Sequence, residues 1–275
     1  TGTITPVAIV APVSLSGAMV SRATLHNVSN LQRLALKVGD RLQLTRRGGV
    51  IPHVEGNLGG GAELVALPAR CPSCDERAEV RESTRRQGGE DIVTRTLHCT
   101  VPSECPATLR GQLFHYTRVL DIDGFGAKIL NQLLKRGIVR DAAGLYDLTV
   151  ERLLELERMG ATLAEKLVAN VHARAEVPLE KFLVALGIET LGKHAAGLLS
   201  ARWTLPELRQ QTVESLAEIP SLGTLTAEQI VAGLVEQGPL MDRLLQHVTI
   251  AVPAEPTTEG ALTGQVVVFT GKLVQ

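Results

Sequence analysis

All four cysteines of the chain fall within 35 residues, as Cys71-Pro-Ser-Cys74 followed by Cys99 and Cys105. The spacing is C-x2-C, 24 intervening residues, then C-x5-C. Thiolate pairs carried on two turns can close a tetrahedral metal site with sulfur ligands about 2.3 Å from zinc. Disulfides are the competing reading, but no secretory signal is present and C-x2-C is the spacing of a metal knuckle. Four sulfur ligands leave no open position, so this zinc is expected to be structural rather than catalytic. His98 stands next to Cys99 and is read as a bystander. Glu79–Leu97, between the pairs, reads as a small β-hairpin turning near Gln87-Gly88-Gly89.

A second chemical pattern is repeated. Asp121-Ile-Asp-Gly-Phe-Gly126 precedes a stretch with helical apolar spacing, and the same skeleton returns at Leu156–Gly160, Ile188–Gly192 and Ile219–Gly223. The final glycines lie 34, 32 and 31 residues apart, a period typical of repeated supersecondary units. Each glycine suits a turn needing positive φ or close backbone approach. The helix that follows starts with unpaired N–H groups at the positive end of its dipole, which suits an anion. A plain helical array punctuated by glycine is the bland alternative. Four turns in register resemble the helix-hairpin-helix repeats of DNA-binding proteins, which hold duplex backbone through hairpin amides. Only the first hairpin has both glycines, Gly124 and Gly126. The equivalent first position holds Arg158, Thr190 or Ser221, so the first hairpin is expected to make the best phosphate contact.

The elements that must position these groups differ along the chain. Residues 1–60 carry six Lys/Arg against two Asp/Glu, a net of +4, whereas residues 111–250 carry 14 basic and 17 acidic residues, a net of −3. Aromatics make up only 3%, which argues against stacking on single-stranded bases as the main mode of contact. Contact with the backbone of a duplex fits both facts. Thr3–Val10, Val38–Thr45 and Val50–Val54 have β composition, and the helix-like Asn30–Leu36 interrupts them, as in an OB-like barrel. Arg46-Arg47 followed by Gly48-Gly49 puts two cations at a flexible turn, which composition alone reads equally well as a solvated surface pair. No apolar run approaches the ~20 residues of a membrane span, and no signal peptide is evident. The stretch after Ala251 is linker-like, and Gly264–Gly271 resembles the opening strand of a BRCT domain. Beginning at Thr1 without a methionine, the chain reads as an excerpt of something larger.

In order, these pieces resemble the bacterial NAD-dependent DNA ligases. The resemblance is carried by Thr1–Ala8, Val20–Asn27, Val38–Asp40, Arg46-Arg47 with Val50–Pro52, the four cysteines, Asp121–Gly126, Leu156–Gly160 and Ala185–Ile188. It implies a multi-domain α and β chain: an OB-fold β-barrel over 1–62, a four-cysteine zinc finger over 63–110, an all-α helix-hairpin-helix domain of four repeats over 111–250, and a linker with a truncated BRCT strand over 251–275. It implies nick sealing in replication and repair through enzyme-AMP and DNA-adenylate intermediates, in a monomeric, cytoplasmic, nucleoid-associated protein with no membrane contact. The adenylated lysine of such enzymes stands in K-x-D-G, which is missing here. The adenylation and NAD-binding domains, using NAD and magnesium, are therefore expected upstream of Thr1, and no catalytic residue is assigned to this chain.

The resemblance places Thr1, Gly2, Arg47, Val50 and Ile51 at the nick. It assigns nicked duplex DNA to Gly124, Gly126, Lys128, Gly160, Lys166, Gly192, Lys193 and Gly223, and zinc to Cys71, Cys74, Cys99 and Cys105. One departure stands out: the family's Arg-Arg-Ala-Gly-Asp-Val-Ile-Pro is here Arg46-Arg-Gly-Gly-Val-Ile-Pro52, one residue shorter and without the acid. The rival class is a non-enzymatic zinc and helix-hairpin-helix scaffold or a nuclease accessory domain. Segment 1–52 favours the ligase reading.

Overall fold

The computed structural model describes residues 2–251, the side chains of residues 85 and 87 excepted. Thr1 and the expected BRCT strand at 264–271 lie outside the described residues.

The chain opens with β1 (Thr3–Ile4), β2 (Val7–Leu15), β3 (Ala18–Thr24), α1 (Val28–Arg33), β4 (Lys37–Val38), β5 (Leu42–Arg47), β6 (Ile51–Asn57) and β7 (Glu63–Leu64). A four-stranded sheet runs β2-β3-β6-β5, and β4 pairs with β7. Ala23, Leu25, Leu31, Leu34, Leu36 and Val54 form its buried core. Three details depart from the strand pattern expected above. Val38–Thr45 is not one strand: Val38 ends β4, and β5 starts at Leu42 in another sheet. Thr3–Val10 is not one strand: proline at 6 supplies no N–H for a ladder, and β1 separates from β2 to pair elsewhere. The strand β3, rich in Ala, Ser and Arg, gave no β signal and is set by pairing with β2. The helix α1 begins earlier than Asn30 because the Asn27 side chain caps it, accepting from Asn30 N–H at 2.9 Å.

The hairpin expected between the cysteine pairs is present as β8 (Ala78–Gln87) and β9 (Glu90–Cys99). Gly88 and Gly89, at φ 63° and 89°, form its two-residue turn, in backbone that glycine adopts without strain. β1 adds to the outer edge of β9, pairing Thr3 with His98 and Ile4 with Leu97. The barrel helix braces the same strand, because Arg95 N–H donates to Ser29 Oγ at 2.7 Å.

The helical part follows with α2 (Pro106–Val119), α3 (Ala127–Lys135), α4 (Val150–Leu154), α5 (Ala161–His172), β10 (Glu176–Pro178), α6 (Leu179–Ala185), α7 (Lys193–Ser200), α8 (Leu205–Leu208), α9 (Val213–Ala217), α10 (Thr224–Glu236), α11 (Gly238–Leu244) and β11 (Thr249–Ala251). One continuous core runs from Leu113 to Val248, with Tyr116 and Phe182 among its fully buried side chains. The Tyr116 and Tyr146 hydroxyls meet at 3.0 Å inside it, and burial raises both phenols. Parallel pairing of β10 with β11 ties the end of this unit to its middle. Among the described residues no helix is long and apolar enough to cross a membrane.

Candidate nucleic-acid interface and metal centre

The four Sγ atoms of Cys71, Cys74, Cys99 and Cys105 lie within 4.8 Å of one another. Cys74 and Cys99 are 3.5 Å apart and Cys71 and Cys105 3.9 Å. A tetrahedron with metal–sulfur bonds of 2.3 Å has an S–S edge of about 3.8 Å, so these four groups could bind a metal. Burial raises the Cys105 thiol, but the Thr108 and Ala107 N–H groups and the Ser73 hydroxyl outweigh it and bring it down to about 6. The Glu76 N–H lowers Cys74, yet desolvation and the three neighbouring sulfurs push it up to about 12. Four thiolates this close repel one another, and a divalent cation removes that repulsion. The cluster also joins parts of the fold. Cys105 is the N-cap of α2, and Cys99 N–H donates to Gly2 O at 2.9 Å. His98 bonds Thr96 Oγ1 at 2.8 Å and is not among the clustered ligands.

The four glycine motifs each join two helices: α2 to α3, α4 to α5, α6 to α7 and α9 to α10. Ile122, Leu156, Ile188 and Ile219 anchor the turns in the core, together with Phe125, Leu191 and Leu222. Gly126, Gly160, Gly192 and Gly223 are the N-caps of the second helices and are exposed. Their φ values lie between −72° and −99°, so positive φ is not why glycine is there. A Cβ on any of them would meet nothing within 4 Å. The effect of glycine is the lack of a side chain. No side chain caps these helices, and the N–H groups of the next three residues have no acceptor among the described residues. By contrast, Thr149, Thr204 and Thr212 cap α4, α8 and α9, whose ends are not hairpin tips.

The positive φ falls two residues earlier, at Gly124 (97°), Arg158 (60°), Thr190 (65°) and Ser221 (73°). The four turns share this left-handed position but differ before the first anchor, where Asp121 and Gly187 have φ 55° and 67° and Glu155 and Glu218 both have φ −69°. Gly124 is required for packing: a Cβ there would run into Leu167 Cδ2 of α5. No phosphate preference follows from it.

Lys128, Lys166 and Lys193 are exposed on the helices after the first three hairpins, Lys128 and Lys193 at the helix starts and Lys166 in the middle of α5. In the barrel, the turn between β5 and β6 presents Val50 and Ile51, 70% and 57% exposed. Beside them the Arg47 guanidinium bonds Glu55 bidentately, with both contacts at 3.1 Å. Thr45 donates to the same carboxylate at 2.8 Å. These bonds, Arg47 first, hold the Glu55 carboxyl down at about 2. His53 is buried beneath, 3.4 Å from Glu55 Oε1 without a hydrogen bond, and desolvation keeps it neutral-leaning. Arg46 differs from a solvated cation: it donates to Leu15 O and Ser16 O at 3.3 and 3.0 Å. Gly2 directly precedes β1 at φ 68°, and a Cβ there would sit 2.8 Å from Pro102 Cβ, so its smallness serves the junction with the cysteine module. Glu55 was not singled out from sequence; a Glu eight residues from an Arg, across a hairpin, gives no local signal.

Residues 1–60 match the family described as the NAD-dependent DNA ligase OB-fold domain. Residues 116–172 match a SAM-like helix-hairpin-helix tandem and residues 181–237 a helix-hairpin-helix motif. The DNA ligase of Trichlorobacter lovleyi is 38% identical over 285 residues, which is 99% of this chain and 40% of that protein. The DNA ligase of Synechococcus sp. is 39% identical over 286 residues, again 99% and 40%. The chain is similar along nearly its whole length to a region of DNA ligases, and over residues 1–60 to the OB-fold domain of the NAD-dependent ones. It spans about two fifths of the length of these curated relatives. A scaffold or nuclease accessory protein is not favoured by this set of matches.

Proposed function

We propose that this chain is the duplex-gripping part of an NAD-dependent DNA ligase that seals nicks through enzyme-AMP and DNA-adenylate intermediates. The observation that carries the reading is homology to DNA ligases along 99% of the chain. The geometry supplies a means: four exposed, uncapped helix ends, each two residues after a left-handed residue, in a domain of net charge −3. The free amides that follow Gly126, Gly160, Gly192 and Gly223, with Gly124 shaping the first turn, hold phosphates whatever the base sequence. Lys128, Lys166 and Lys193 add cationic contacts. Arg47, Val50 and Ile51 of the barrel turn, together with Thr1 and Gly2, are the contacts at the nick. The division is 1–62 barrel, 63–110 cysteine module, 111–250 hairpin domain and 251–275 linker with the start of a BRCT domain.

The metal is zinc, held by Cys71, Cys74, Cys99 and Cys105. When bound it supplies a fixed tetrahedral node and no catalysis. Through Cys105 at α2 and Cys99 on Gly2 it sets the angle between barrel and hairpin domain. The catalytic lysine, NAD and magnesium belong to a nucleotidyltransferase portion working beside this chain, and nicked duplex DNA in the cytoplasm and nucleoid is the substrate of the whole. The test is titration of the chain with nicked and unbroken duplex over a range of salt. Affinity should fall steeply as salt rises, because phosphate contacts release counterions. A flat response, or no binding, would refute the reading.

A further inference from the structure

The hairpin turns carry left-handed residues other than glycine, and such backbone persists only where its surroundings hold it. Two side chains do this reciprocally. Gln132, on the second helix of the first hairpin, grips the turn of the second hairpin at both backbone atoms of Glu157. It accepts from Glu157 N–H at 2.7 Å and donates to Glu157 O at 3.5 Å, immediately before left-handed Arg158. Asn170, on the second helix of the second hairpin, donates to Asp123 O in the first turn at 3.0 Å, immediately before Gly124. Arg174 and Lys181 add holds on the first turn at Leu120 O and Asp121, at 3.0 and 2.9 Å. In the second pair of hairpins the bracing is sparser. His194 bonds Ser221 Oγ at 3.0 Å, and among the described residues no side-chain hydrogen bond reaches the backbone of 187–192.

We infer that Gln132 and Asn170 are reciprocal positioning residues, each reaching from one hairpin to fix the turn of the other so that the amides after Gly126 and Gly160 meet the duplex backbone already aligned. Their effect is preorganisation: a turn held before binding loses less freedom on binding. The inference rests on the duplex reading above. It makes hairpins one and two the rigid part of the grip, and hairpins three and four the part that adapts.

The experiment uses the chain with a nicked duplex oligonucleotide. Gln132→Ala and Asn170→Ala should each weaken binding about 3- to 10-fold, the range of a lost neutral hydrogen bond. Each should also lower the slope of log affinity against log salt by about one phosphate. Amide exchange should quicken at Glu157 and Met159 in Gln132→Ala only and at Gly126 in Asn170→Ala only. Wild-type affinity and slope in these variants would overturn the inference, as would weaker binding without faster exchange in the matching turn. Gly126→Val and Gly160→Val, which place bulk in the open space before the helix ends, separate the two levels. If they weaken binding while the Gln132 and Asn170 variants do not, only the bracing falls. If they too bind like wild type, the duplex reading itself falls.

Discussion

Gly124→Ala tests why the first hairpin alone has two glycines. At φ 97° an alanine Cβ is strained by about 1–2 kcal/mol. The same Cβ would overlap Leu167 Cδ2, a fully buried side chain, and forced overpacking of a core costs about 1–3 kcal/mol. The expected loss is therefore about 2–5 kcal/mol, which for a unit of roughly 140 residues lowers Tm on the order of 10 °C. Gly126→Ala is the control. Its φ is −72° and its Cβ would meet nothing within 4 Å, so its cost is that of a poorer N-cap, less than about 1 kcal/mol. Thermal and urea unfolding of both variants, with duplex titration alongside, separates folding from binding. Shortening the obstruction in Gly124→Ala/Leu167→Ala should make the two changes sub-additive by at least about 1 kcal/mol. A Gly124→Ala protein as stable as wild type, or strict additivity in the double variant, would refute the packing explanation.

Metal analysis of the purified chain should find about one zinc, and Cys71→Ser should lose it, loosening β8–β9 and the start of α2; a metal-free chain with wild-type stability would contradict this. The Glu55 carboxyl should titrate near 2 by NMR, against an ordinary value of 4.5. Because its folded value is depressed, its ion pair with Arg47 stabilises the barrel turn fully above pH 4.5 and is lost as pH falls through about 2. Arg47→Ala should return that titration toward the ordinary value, and an unchanged midpoint would assign the shift to another group. Supplied with NAD, the chain alone should form no AMP adduct, and mass spectrometry showing one would overturn the division of labour proposed above.

The sequence made the cysteine cluster legible because metal chemistry ties residue type to spacing. The hairpin glycines were legible because they recur. The left-handed conformation of Arg158, Thr190 and Ser221 was not, because nothing in those residue types announces positive φ. The break between β1 and β2 was equally hidden. Pro6 marked a discontinuity, but the partner of the freed strand lies more than 90 residues away, at Leu97 and His98. Gln132 and Asn170 had no signal at all, since their partners are backbone atoms of another repeat.

These gaps share a cause that bears on how an acidic domain can hold a polyanion. A binding surface made of side-chain charges would show in the composition, and 111–250 is acidic. A surface made of backbone N–H groups leaves only two marks, a residue without a side chain at the N-cap and buried anchors behind it. Of the acids near the tips, Asp121 is already paired with Lys181 at 2.9 Å. Such a surface tolerates almost any residue at the intermediate turn position so long as the backbone is forced into shape. The constraint then passes to the residues that do the forcing, and those lie one repeat away.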